Sequence, residues 1–244
     1  MSDSTERVVQ EIAREAPNRL ELWSAFLDRV DARTVAEIGV YRGEFAAYVL
    51  AACPRIETYH MLDPWRHLDD WNKPANRDDA EFERIFEEAM ERTREHERKR
   101  VVLRGRTTEV IDEIPDGSLD FAYVDGDHTL RGITIDLVRV YPKLREGGWI
   151  GGDDFARSIW QHGPQFEPTL VFPFAVHFAE AVGSPVYGLP HGQFLIGKRR
   201  GFEFVDCTGR YARLDLLRQV MPRRAKPGRS ARGLVRSALR RRSR

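Results

Sequence analysis

At 244 residues and 41% hydrophobic content, the chain can bury one substantial core, and a second folded domain is not expected. Ten of the 39 Lys/Arg fall in residues 222–244, which hold no acid, so the other 29 stand against 38 Asp/Glu in the rest of the chain; an acidic body argues against a nucleic-acid-binding face and suits a cationic or neutral ligand. Cys53 and Cys207 are the only cysteines, which excludes a disulfide framework or a cysteine zinc site. The first thirty residues carry mixed charge without an apolar leader, and no run of about 18 apolar residues occurs, so the expectation is a cytoplasmic protein without membrane insertion.

In chain order, residues 4–16 and 18–30 read as two helices separated by Pro17, the second placing Leu20, Trp23, Phe26, Leu27 and Val30 on one face; they are expected to cover the sheet or form an oligomer interface. Thr34–Val40 is a short apolar strand that runs into glycine, followed by a helix with Phe45, Ala46, Val49 and Leu50 at helical spacing. A second strand, Thr58–Leu62, ends at Asp63-Pro64-Trp65, and a polar, proline-broken insert follows. Asp79–Lys99 is expected to be one amphipathic helix. Val101–Leu103, Leu119–Val124 and Trp149–Gly151 supply strands three to five, and Pro185–Leu189 with Gln193–Lys198 forms a hairpin around Pro190-His191-Gly192. Alternation of strand and helix predicts a Rossmann-like, doubly wound, mostly parallel seven-stranded sheet with an antiparallel C-terminal hairpin strand and helices on both faces, its ligands at the carboxyl ends of the strands. The domain is expected over residues 1–221, with 1–30 as its helical cover and 222–244 as a basic, disordered tail.

The turn Glu37-Ile38-Gly39-Val40-Tyr41-Arg42-Gly43 sets two glycines four apart where a strand becomes a helix, so backbone can approach a ligand closely. The spacing departs from G-x-G-x-x-G, with Glu44 where a third glycine would fall, which counts against a nicotinamide-dependent oxidoreductase. Acids surround the turn, Glu37 on the first strand and Asp63 after the second. That field repels phosphates and suits a sulfonium, an ammonium and ribose hydroxyls.

Glu37-x-Gly39-x-x-x-Gly43-x-x-Ala46, Asp63 at its strand end, Tyr123-Val124-Asp125-Gly126-Asp127-His128 and Gly147-Gly148-Trp149-Ile150-Gly151-Gly152-Asp153-Asp154 resemble class I S-adenosylmethionine-dependent methyltransferases. Within that class they look most like bacterial small-molecule O-methyltransferases of the macrocin and aminocoumarin sugar type, over about residues 34–200. The resemblance implies that S-adenosylmethionine is held by Glu37, Gly39, Tyr41 and Gly43 around its methionine part, by Asp63 at the ribose, and by Trp65, Thr107 and Asp125 elsewhere. Gly105, Arg106 and Thr107 fall in the loop that flanks adenine in that family.

Asp125 and Asp127 follow the fourth strand, Asp153 and Asp154 the fifth, so in a parallel sheet all four converge on one rim and raise one another's pKa unless a cation or donors neutralise them. A hard divalent ion, Mg²⁺, is the natural partner of such carboxylates and would fix an acceptor hydroxyl for in-line attack. The resemblance implies Asp125, Asp153 and Asp154 as its ligands and Asp127 as general base. His128 is a competing base, and a metal-independent reaction through Asp127 or His128 is the alternative. Singly, Asp127 and Asp153 also read as helix caps. Aromatics in two stretches, Asp63–Asp79 and Phe155–Pro173, make these candidate lids. The expected activity is O-methylation of a small-molecule hydroxyl, with a donor- or nucleotide-binding protein lacking transfer activity as the rival from another class. Nucleic-acid methylation anchored by the tail is the further alternative.

Overall fold

The computed structural model describes residues 2–211 and Leu214; the basic tail from residue 222 lies outside them. Two helices, α1 (Ser2–Glu15) and α2 (Arg19–Arg29), precede β1 (Thr34–Ile38), α3 (Glu44–Ala52) and β2 (Thr58–Asp63). Then come α4 (Asp79–Arg92), β3 (Arg100–Arg104), α5 (Thr107–Val110), β4 (Leu119–Val124), α6 (Leu130–Val140) and β5 (Leu144–Gly152). The described elements end with α7 (Val171–Ala181), β6 (Val186–Gly188), β7 (Phe194–Gly197) and β8 (Phe204–Asp206).

The eight strands form one sheet in the order β3-β2-β1-β4-β5-β7-β6-β8. β1 pairs in parallel with β2 and β4, β2 with β3, and β4 with β5, while β7 runs antiparallel between β5 and β6. This is the expected mostly parallel sheet with its antiparallel hairpin, plus a short outer strand, β8, parallel to β6. The strand order reverses at β1 and β4, which opens a crevice between their carboxyl ends.

Strand alternation sorts the core into two layers. Val35, Tyr59, Met61, Phe121, Tyr123 and Trp149 pack with Trp23, Phe26, Phe45, Val49 and Ile85 from α2, α3 and α4. Their strand neighbours Ala36, Leu62, Ala122, Val124 and Ile150 are also buried and face the layer that contains α5, α6 and α7. α2 thus spends its apolar stripe inside the chain: Leu22, Trp23, Phe26 and Leu27 are buried, each side chain contributing about 1.5–3 kcal/mol by leaving water.

Helix starts follow their caps. Asn18 accepts from the Glu21 N–H, Asp78 from Glu81 and Thr129 from Gly132, so Thr129 rather than Asp127 caps α6. The helix expected through Lys99 stops at Arg92. Thr93, fully buried, bonds the Ala89 carbonyl through its hydroxyl, and Arg100 from the next strand donates to the Met90 carbonyl and the Thr93 hydroxyl, both at 2.6 Å. A long side chain from β3 therefore satisfies the last carbonyls of α4. Among the described residues no helix is long and apolar enough to cross a membrane.

Candidate active site

The turn after β1 is pinned to the end of β2. Asp63, buried, accepts the Val40 and Tyr41 N–H groups on Oδ2 (3.0 and 2.8 Å) and the Trp65 N–H on Oδ1 (2.8 Å). Burial raises its pKa and those three N–H groups oppose the rise; Oδ1, with one bond, keeps a lone pair for a ligand hydroxyl. Gly39 adopts φ +90°, and a Cβ on it would sit 2.2 Å from the Asp125 carbonyl oxygen. Gly39→Ala is therefore expected to cost about 2–4 kcal/mol from a strained φ and a backbone collision, read as a lowered midpoint of denaturant unfolding; an unchanged midpoint would remove this account of the turn. Gly43, also left-handed at φ 72°, caps α3 against the backbone of Ala89. Tyr41, Trp65 and Asp154 hold positive φ without being glycine, all at strand ends around the crevice, where such strain tends to collect.

Above these strand ends lies a cavity of about 450 Å³ lined by Glu37, Gly39, Tyr41, Asp63, Thr107, Asp125, Asp127 and His128 among others, within the range of small-molecule sites. Trp65, expected among the donor-binding residues, is not among those that line this cavity: it is fully buried, donates its indole N–H to the Tyr41 carbonyl at 2.8 Å and packs edge-on against Phe86. It supports the turn from behind. Glu37 accepts the Tyr59 hydroxyl at 2.7 Å. Burial drives its pKa well above the usual glutamate range, against that hydrogen bond, and the charges of Asp125 and Asp63 add to the rise.

The four aspartates do not form one centre. Asp125 and Asp153 share Arg19, the first residue of α2: its Nη1 lies 3.3 Å from Asp125 Oδ2 and bonds Asp153 Oδ2 more closely. Asp153 Oδ1 accepts from Gln193 Nε2 (2.6 Å) and from the Asp154 N–H (2.7 Å). Burial, with Asp125 and Asp154 nearby, still lifts Asp153 to a pKa of about 6. Asp154 turns to His128 Nδ1 and to the Gln161 amide; burial opposes its charge, but His128 holds it down at about 2. His128 Nε2 is 3.3 Å from Asp125 Oδ1. Burial works against the imidazolium, and the two carboxylates overcome it, raising the pKa of His128 well above its ordinary value.

Asp125, Asp153 and Asp154, the expected Mg²⁺ ligands, are thus each engaged by protein partners instead of converging on one point. Among the described residues the one group whose ligand atoms converge is His128, Asp154 and His162, two nitrogens and one oxygen, whereas Mg²⁺ demands oxygen donors. The residues do not fit a magnesium centre, because Arg19 and Gln193 turn Asp153 to their own use.

Asp127 stands apart. Its Oδ1 accepts from the Trp71 indole (3.1 Å) and the Thr129 N–H (3.0 Å), while a Cβ at Gly132 would collide with it at 2.1 Å. Glycine there lets the Asp127 carboxylate lie against α6 at the wall of the cavity that it lines.

Sequence reasoning passed over four participants. Arg19 and Lys73 line the cavity, and Gln193, fully buried, accepts Trp23 Nε1 and Tyr123 OH while serving Asp153. Asp136, on the buried side of α6, accepts the Thr107 hydroxyl at 2.6 Å at the wall of the cavity. Its signal was an acid on the apolar stripe of Ile133, Leu137 and Val140. Burial raises its pKa to about 7. A folded pKa above the unfolded one means that its contribution is complete below about pH 4 and is lost as pH climbs through about 7. Asp136→Asn should remove that loss, about 2.5–3 kcal/mol between pH 5 and 9, seen as a flatter thermal midpoint against pH; parallel curves for the two proteins would refute it.

The insert after β2 and the loop after β5 meet over the crevice. Asn72 Nδ2 donates to the Gln165 carbonyl at 3.1 Å and Lys73, buried, to that of Glu167 at 2.8 Å. Arg106 and Arg131 both bind Asp70, closing the insert on α5 and α6. Leu68, Trp71 and Pro74 from the insert line the cavity, and His162 does so from the loop. Phe155 and Phe172, in the stretch expected to form a lid, pack in the core with Phe194 and Tyr211.

Residues 36–155 match the family described as "Methyltransferase domain". The chain is 25% identical over 152 residues to the uncharacterized protein y4gI of Sinorhizobium fredii, an alignment that takes in 58% of this chain and spans only 16% of the length of that relative. In fold it resembles a Staphylococcus aureus protein described as a caffeoyl-CoA O-methyltransferase (TM-score 0.55, 13% identity, 78% of this chain and 90% of the other). It also resembles the O-methyltransferase TomG of Streptomyces achromogenes, solved in complex with SAM (TM-score 0.53, 14%, 75% and 79%), and one from Bacillus cereus, in complex with SAH (TM-score 0.53, 14%, 79% and 88%).

Proposed function

We propose, for a chain that carries an S-adenosylmethionine-dependent methyltransferase domain over residues 36–155, that it moves the donor's methyl group to a hydroxyl of a small molecule, with Asp127 as base. One observation supports this reading above the others. Glu37, Asp63, Asp125 and Asp127 come from the ends of three adjacent strands into one cavity beside a glycine turn. Carboxylates at the strand ends suit the ammonium and sulfonium of the donor, while Arg42, Arg66, Lys73, Arg106 and Arg131 line other parts of the same cavity.

S-Adenosylmethionine supplies a methyl group on a positively charged sulfur, an intrinsically reactive electrophile. The chain's part is to hold, align and dehydrate. Glu37 and the turn at Gly39–Tyr41 suit the ammonium and carboxylate of the methionine part, Asp63 Oδ1 suits a ribose hydroxyl, and Thr107 with Asp136 borders the remaining end. Asp127 Oδ2 takes the acceptor's proton as the oxygen–methyl bond forms and the methyl–sulfur bond breaks, so the acceptor leaves as its methyl ether and the proton passes from Asp127 to water. His128 is less suited to that task, since Asp154 and Asp125, against the cost of burial, raise its pKa and favour the imidazolium. The meeting of the insert with the loop after β5 excludes water. Mg²⁺ enters no step, because the carboxylates expected to bind it are engaged by Arg19, Gln193 and His128.

Calorimetric titration tests the first half of this reading. S-Adenosylmethionine and S-adenosylhomocysteine should each bind once per chain, and NAD should not. Mass spectrometry of a panel of hydroxyl-bearing small molecules then looks for the added methyl group; a protein that takes up neither adenosyl ligand ends the proposal.

A further inference from the structure

We infer that Arg19 takes the place of a divalent cation at the acidic rim: its guanidinium bridges Asp125 and Asp153, offsetting one of their two charges, and the site works without a bound metal. The part that concerns catalysis rests on the methyl-transfer reading above; the part that concerns charge does not.

Arg19 is built into position. Asn18 caps α2 and starts the helix at Arg19, so the guanidinium leaves a fixed backbone. One turn later on the same face, Trp23 is fully buried and bonds Gln193. Gln193 in turn holds Asp153 Oδ1, while Arg19 holds Asp153 Oδ2. One helix therefore fixes both oxygens of Asp153, the second through Gln193. The same Nη1 reaches Asp125 Oδ2 at 3.3 Å, so a single cation bridges the carboxylates that end β4 and β5. That bridging role is the one an ion would fill between them.

The charge argument points the same way. An arginine remains protonated at any pH at which the protein is folded, and the surrounding acids, against the cost of burial, raise its pKa further. A divalent ion entering between Asp125 and Asp153 would have to expel the guanidinium or sit beside it. Asp154, the third expected ligand, has its own cation in His128. Arg19 lines the cavity as a positioning residue that acts through Asp125 and Asp153.

The test uses the full chain and Mn²⁺ alone as probe, followed by calorimetry and by the electron paramagnetic resonance of the free ion. The parent protein should take up no Mn²⁺ at the rim, whereas Arg19→Ala should bind one ion at least tenfold more tightly and gain thermal stability from it. Arg19→Lys, which keeps the charge, should behave as the parent, and Asp153→Asn in the Arg19→Ala background should return binding to the parent level. Should Arg19→Ala fold poorly, Arg19→Gln keeps the aliphatic stem and carries the same expectation. Methyl transfer by the parent should be unchanged by EDTA. Parent protein that binds Mn²⁺ as tightly as the variant overturns the inference, whether the ion sits on Asp125 and Asp153 or on His128, Asp154 and His162; so does activity lost to EDTA and restored by the ion. Failure to bind S-adenosylmethionine in EDTA buffer, with the Mn²⁺ contrast intact, would sink the methyl-transfer reading and leave only the part of this inference that concerns charge.

Discussion

Asp127→Asn is expected to bind S-adenosylmethionine as tightly as the parent and to transfer its methyl group about 10²- to 10⁴-fold more slowly, the usual loss when a general base is removed. The substitution is nearly silent for the fold. Asn keeps an Oδ1 that accepts from the Trp71 indole and the Thr129 N–H, so the loop between β4 and α6 retains its anchors. What changes is the second oxygen, which becomes an amide NH₂ and can no longer take a proton. The effect should therefore fall on kcat with little change in donor affinity, the signature of an interaction made only in the transition state. His128→Gln gives the contrast. If His128 were the base, that variant would show the larger loss and Asp127→Asn the smaller; with Asp154 and Asp125 favouring the imidazolium of His128 against the cost of burial, its removal should mainly disturb the placement of those acids. An Asp127→Asn protein within threefold of parental kcat would remove Asp127 from the mechanism.

The sequence carried the sheet because hydrophobic period is a one-dimensional signal. Thr34–Ile38 and Leu119–Val124 are apolar runs ended by glycine or aspartate, and nothing remote is needed to read them. The acids at the strand ends were legible for the same reason: in a parallel sheet, Glu37, Asp63, Asp125 and Asp127 must share one edge. Which way a carboxylate turns once there is another matter. Asp153 and Asp154 are adjacent, yet one faces Arg19 and the other His128, and the choice is made by partners 134 residues earlier and 40 residues later in the chain. Local spacing holds no information about such partners. Trp65 was ambiguous until Phe86 and the Tyr41 carbonyl came together around it. The early end of α4 belongs to the same class, since the Arg100 that satisfies its carbonyls lies on the next strand. Asp136 was different: an acid amid an apolar stripe was visible, and its burial followed from the period of the helix.

Glu37 should make donor binding depend on pH in a direction that its surroundings fix. In the unliganded protein burial favours the neutral carboxylic acid, Tyr59 OH opposes that preference, and Asp125 and Asp63 reinforce it. The ammonium of the donor favours the carboxylate. Binding must therefore expel a proton wherever the pH lies above the liganded pKa and below the unliganded one. The sign follows: affinity for S-adenosylmethionine rises with pH across that window, by up to tenfold per unit, and levels off above the raised pKa. S-Adenosylhomocysteine keeps the ammonium and loses the sulfonium, so it should show the same slope at weaker affinity. Glu37→Gln still accepts the Tyr59 hydroxyl but cannot titrate, so its affinity should be flat over this range and about 10- to 100-fold below the parental plateau, the usual worth of a hydrogen bond to a charged group. Calorimetry in two buffers of different ionisation enthalpy measures the released proton directly. Equal apparent enthalpies in both buffers, with a parental affinity that does not move with pH, would show that Glu37 is already ionised before the donor arrives and that the acidic rim is not poised in the way its burial implies.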